Sequence, residues 1–154
     1  AVIYVGQQAW GRTTNPTGAQ AERARRQGKQ CDAAFMGAAQ GRAEADDAIA
    51  KTAAEGFAPG TVIFLDVERM ERVPQAMRDY YRAWTARVLE DGRFRPGVYV
   101  HKHNARRVYD DVVAEFAAAG VSEEPAFWVA SGRGFTHAAS TPTDVGHRFT
   151  TMWQ

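Results

Sequence analysis

The stretch that most constrains this chain is Thr61–Glu68, TVIFLDVE. An apolar run, Val62–Leu65, follows a Pro59-Gly60 turn and leads into two carboxylates separated by one valine. A short apolar run bounded by a turn reads as a strand buried on both faces. Side chains alternate along a strand, so Asp66 and Glu68 share one face with Val62 and Phe64 deeper on it, while Ile63, Leu65 and Val67 pack under helices. At about 3.3 Å per residue the two acids sit roughly 6.5–7 Å apart along the backbone. Parallel α/β folds place their chemistry at the carboxyl ends of buried strands. The plainer alternative has Asp66 capping the next segment and Glu68 pairing with Arg69 or Arg72.

The flanking sequence repeats one rhythm. Glu55–Gly60 (EGFAPG) and Asp91–Gly97 (DGRFRPG) each end a helix and launch a strand. Before the first lies an alanine-rich helix over 42–55. Between them Met77, Tyr81, Trp84 and Val88 mark the buried stripe of a helix over 75–91, with Trp84 as core. Val98–Val100 is the next strand. Asn104 then caps a helix striped by Val108, Val112 and Phe116, with Gly120 as its stop. Ala126–Ala130 (AFWVA) and about 148–153 complete the strands, and Ala1–Gly6 (AVIYVG) is the first. Residues 11–18 and 131–147 read as loops, and 19–30 as a helix without an apolar stripe.

Five strands in βα alternation form a parallel sheet, adjacent in chain order. That sheet is either an open five-stranded one or part of a closed (β/α)8 barrel. Strand-like residues at both ends of the chain favour the barrel, with 1–154 as one partial barrel domain.

Composition excludes several other classes. Hydrophobic residues at 45% and charged residues at 24% fit a globular protein rather than a disordered one. A formal net charge of +1, with basic residues in no single stripe, gives no nucleic-acid footprint. No apolar run is long enough to span a membrane. The lone Cys31 makes no internal disulfide and has no nucleophile context. Ser131-Gly132-Arg133-Gly134 lacks the strand–glycine–helix setting of a nucleotide site.

The strand ends supply the chemical candidates: Gln7 and Gln8, Asp66 and Glu68, Tyr99 and His101, Trp128, and Trp153 with Gln154. Paired carboxylates are the machinery of glycoside hydrolysis, one protonating the leaving oxygen and the other stabilising the cationic centre. An apolar wall and a neighbouring carboxylate would hold the proton on the acid, Glu68. Aromatic rings at strand ends suit sugar faces, although core packing is the simpler role for Tyr99. His101 and His103 have the spacing of two metal ligands and, with Asp66, define the alternative of a metal-dependent small-molecule enzyme. No metal and no cofactor is assigned.

The series IYVGQQ, the helix with Asp46-Asp47-Ala48, PGTVIFLDVE, the helix with Trp84, RPGVYV, FWVA and a final Trp-Gln resembles the bacterial glycoside-hydrolase-like barrel domain of unknown function, a relative of the family 25 lysozymes (muramidases). The resemblance runs over nearly the whole chain and implies barrel strands 3 to 7. It implies action on peptidoglycan or a related cell-wall polysaccharide, with Glu68 matching the lysozyme acid and Asp66 its assisting carboxylate. It also implies a secreted or cell-envelope location. Lysozymes of this type carry further acids on strands outside this chain, and Gln7 and Gln8 are typical of the unknown-function branch. A non-catalytic glycan-binding relative of the hydrolases is therefore the alternative.

Overall fold

The computed structural model describes residues 37–131 and 145–154. Three helices and four strands alternate: α1 (Ala38–Ala54), β1 (Val62–Val67), α2 (Gln75–Asp91), β2 (Arg95–His101), α3 (Lys102–Ala118), β3 (Ala126–Ala130) and β4 (Met152–Trp153). The four strands form one sheet in the order β1-β2-β3-β4. Every pairing is parallel, and Asp66, Tyr99, Trp128 and Met152 lie side by side across it. The expected strand Ala1–Gly6, with Gln7 and Gln8 at its end, lies outside the described residues, as does Cys31.

One face of the sheet is sealed by α2 and α3. Ile63, Leu65, Val67, Val98, Val100, Phe127 and Val129 point into this layer and are fully buried. From the helices Met77, Tyr81, Trp84, Val88, Val108 and Val112 meet them, as the periodicity of α2 and α3 requires. Gly92 stops α2 in the left-handed conformation, with φ of 73°. Helix α1 packs on α2, where a Cβ on Gly41 would come within 2.2 Å of the Tyr80 carbonyl oxygen. Only glycine permits that approach.

A buried charge network joins α2 to α3. Arg78 donates to both Asp111 carboxylate oxygens, at 2.8 and 2.7 Å, and the Tyr81 hydroxyl donates to the same group. Burial alone would raise the Asp111 pKa. The hydrogen bonds from Arg78 and Tyr81 outweigh it and hold the carboxylate below its usual range.

Four boundaries differ from the sequence expectation, the first being α1, which starts at Ala38 rather than at 42. Strand β2 starts at Arg95 and so contains Pro96-Gly97, which reads as a turn in sequence. Arg95 bonds toward β1 through the Thr61 oxygen, so Pro96 faces the β3 side, and β3 pairs only from Gly97 onward. The missing proline N–H therefore costs no ladder bond. Strand β4 is shorter than expected because Phe149 leaves the strand path to stack on Tyr109, with ring centroids 3.9 Å apart. Helix α3 starts at Lys102 with His101 as its cap, which puts Asn104 inside the helix.

Candidate functional site

The face of the sheet opposite α2 and α3 has a different chemistry. Phe64 and Asp66 from β1, Tyr99 and His101 from β2, and Trp128 from β3 share it by alternation and register. Gly97 lies beneath the aromatic group: a Cβ there would sit 2.8 Å from the Phe64 ring and 2.7 Å from Val62. The bare backbone lets Phe64 fold across the neighbouring strand. Trp128 then meets Phe64 edge-on at 6.1 Å and Tyr99 edge-on at 5.2 Å.

Asp66 sits among these rings at 7% exposure, and its Oδ1 has no hydrogen-bond partner among the described residues. Desolvation, and then the nearby Glu68 charge, push its pKa up to about 6. Glu68 itself is exposed at the end of β1. Its charge raises the pKa of Asp66 and, more weakly, of Tyr99, and works against the lowering at His101. The desolvating wall thus encloses Asp66, whereas the sequence expectation put it around Glu68. The reason is depth: Asp66 is still within the strand, level with Tyr99 and Trp128, and Glu68 is beyond the last paired residue.

Tyr99 is half-buried, and its hydroxyl accepts a hydrogen bond from Gln154 Nε2 at 2.9 Å. Burial and the Asp66 charge raise its pKa, so the phenol stays protonated and able to donate. His101 closes the row, and its Nδ1 accepts the His103 backbone N–H at 3.1 Å. Six of the expected site residues, Asp66, Glu68, Tyr99, His101, Trp128 and Gln154, therefore gather at one end of one face.

A family model described as "Rv2525c-like, glycoside hydrolase-like domain" matches residues 1–153. The chain belongs to this family. No curated protein and no solved structure matches it. In this glycoside hydrolase-like domain, Trp153 stands apart from the other expected site residues. It pairs in register with Val129 and packs against the core on the helix-covered face. His103 is exposed, with Nε2 3.3 Å from the Glu71 carbonyl oxygen. Among the described residues no cluster of three or more metal-ligating side chains exists. Nor does any helix among them have the length and apolarity to cross a membrane.

The positioning role that sequence reasoning missed is that of Asn104, expected as a cap and found inside α3. Its Oδ1 accepts the Met70 N–H at 2.9 Å and its Nδ2 donates to the Met70 oxygen at 3.0 Å. This imitates a strand pairing and pins the loop after Glu68 to the first turn of α3. The available signal was an asparagine four residues before Val108, in line with the helix's apolar stripe, where a cap alone would not require burial.

Proposed function

We propose that the domain acts on bacterial cell-wall glycan, with Asp66 and Glu68 as the working carboxylate pair of a barrel related to the family 25 lysozymes. On this reading the four parallel strands are a section of a (β/α)8 barrel, roughly strands 3 to 7 with the amino-terminal residues included. The protein would then work outside the cell or in its envelope. The observation that carries the reading is Asp66: a buried carboxyl beside Phe64, Tyr99 and Trp128, with an oxygen that has no partner among the described residues, one alternation below an exposed glutamate.

Each group would have one task. Glu68, exposed at the strand end, reaches the glycosidic oxygen and donates the proton as the bond breaks, the bound sugar itself supplying the cover that keeps this carboxyl protonated. Asp66 lies deeper, on the ring side of the sugar. Above about pH 6 it is charged and faces the cationic centre that develops at the anomeric carbon. Trp128 and Tyr99 offer ring surface and a phenolic donor to the sugar beside it.

The test is turbidity loss of purified cell walls, run with a pull-down on the same material. Glu68→Gln keeps shape and loses only the transferable proton, so it should abolish the turbidity loss and preserve the pull-down. Equal turbidity loss by both proteins would remove Glu68 from the mechanism. Pull-down without turbidity loss by wild type would turn the reading into a non-catalytic glycan-binding relative.

A further inference from the structure

Gln154 continues the ladder of β4 by one residue. Its N–H donates to the Val129 oxygen at 3.1 Å and its oxygen accepts the Ser131 N–H at 2.7 Å, so it stands opposite Ala130. Ala130 pairs with His101 and lies two residues beyond Trp128, on the face that carries Asp66 and Tyr99. From there the Gln154 amide reaches Tyr99, which belongs to β2, the second strand away. Strands that far apart are separated by roughly 9–10 Å. The path crosses β3 between Trp128 and Ala130, and the small alanine side chain is what leaves it open.

The bond also decides where the phenol proton goes. Conjugation with the ring keeps a phenol O–H near the ring plane, where it has two directions to choose from. A donor that occupies one direction leaves the proton the other. At Tyr99 the Gln154 Nε2–H, at 2.9 Å, takes the direction facing β4. The proton is left the direction away from β4, on the side of β1 and of Asp66, its partner in register. It is not spent on Asp66 Oδ1, which has no partner among the described residues.

Resting on the glycan reading above, we infer that Gln154 is a positioning residue that holds the Tyr99 hydroxyl as a donor aimed at an oxygen of the bound sugar beside Asp66. Above about pH 6 the carboxylate of Asp66 can only accept, so the ligand meets a fixed donor and a fixed acceptor on adjacent strands. Gln154 touches the ligand's partner and sets its polarity.

Gln154→Glu tests this by reversing the bond. A carboxylate only accepts, so near neutral pH the Tyr99 proton turns to it and the ligand faces a lone pair. Glutamic acid, with an ordinary pKa of about 4.3, is mostly protonated at about pH 4 and can donate to Tyr99 as the amide does. Gln154 is exposed, so the substitution spares the core. The experiment is the cell-wall pull-down at about pH 7.5 and about pH 4 with wild type, Gln154→Glu, Tyr99→Phe and the double variant, each checked for folding by its urea midpoint. Relative to wild type at the same pH, Gln154→Glu should bind roughly fivefold more weakly at the higher pH and within about twofold at the lower. In the Tyr99→Phe background it should change binding by less than about twofold at either pH. Full binding by Gln154→Glu at the higher pH would mean that Tyr99 already gives its proton to residue 154, and overturns the inference. So does a loss that is equal at both pH values, or one that persists without the phenol. In these cases the glycan reading stands. Wild type that binds at neither pH overturns the glycan reading and the inference with it.

Discussion

Leu65 and Asp66 are consecutive in β1, equally deep in the sheet, and they belong to two different environments. Leu65 enters the layer under α2 and α3, where every strand contributes apolar side chains and none is exposed. Asp66 enters a layer of rings and polar groups that leaves a carboxyl oxygen without a partner among the described residues. The first layer maximises buried apolar surface, worth about 25 cal/mol per Å². The second gives up part of that gain to keep a titratable group desolvated. One strand thus separates stabilisation from chemistry by a half-turn of the backbone per residue.

The contrast can be broken most severely from the packed side. Leu65→Ala should cost about 3 kcal/mol in urea unfolding, because helices on one side and neighbouring strands on the other limit collapse around the void. A loss under about 1 kcal/mol would mean the helix-covered layer is loosely packed.

Asp66→Asn should act in the opposite direction. The folded chain keeps the Asp66 proton up to about 6, against 3.8 for an unperturbed aspartate. Between those values the folded state binds more protons than the unfolded one, so stability falls as pH rises through the window. Above it the folded state bears the full cost of a buried charge. The amide has no proton to lose, so the variant should be about 2 kcal/mol more stable than wild type at pH 7.5 and should lack the decline from about pH 4 to 6. Its cell-wall turbidity activity should fall. Parallel stability profiles for the two proteins would mean the Asp66 charge is compensated.

The smallest expected effect returns to the packed side. Thr85 in α2 is fully buried, and its Oγ1 has no hydrogen-bond partner among the described residues. Thr85→Val removes the orphaned hydroxyl at nearly constant shape and should stabilise the chain by about 1 kcal/mol in the same urea assay. A destabilising result would place an unseen acceptor beside Thr85.

The two layers were not equally legible in the sequence. The packed layer was readable because it follows from period and volume: Ile63, Leu65 and Val67 alternate, and Met77, Tyr81, Trp84 and Val88 recur at helical spacing. The candidate site was readable only as far as strand alternation reaches. That places Asp66, Tyr99, His101 and Trp128 on a common face once the strands are aligned. It misjudges Trp153, because the strand expected over 148–153 gives no register until Phe149 is known to leave it for Tyr109. It also cannot tell which acid the aromatic wall encloses, since that depends on where pairing stops. Pro96-Gly97 misled for a related reason. Proline forbids a ladder bond on one side only, and which side is a property of the neighbours.

The amide of Asn104 divides the segment between β1 and α2 into two parts with different tolerance for change. From Val67 to Met70 the backbone is tied at both ends, by the sheet and by the Asn104 amide, so adding or deleting a residue there would shift Glu68 off its strand end or break the tie. From Glu71 to Pro74 the hold is lighter, a contact of His103 with the Glu71 carbonyl oxygen and the Val73 side chain against the core, and the chain reaches α2 over exposed or half-exposed residues. For an engineer this second part is the place to graft a loop that changes what the site accepts, and length variation among natural variants of this domain should be concentrated there too.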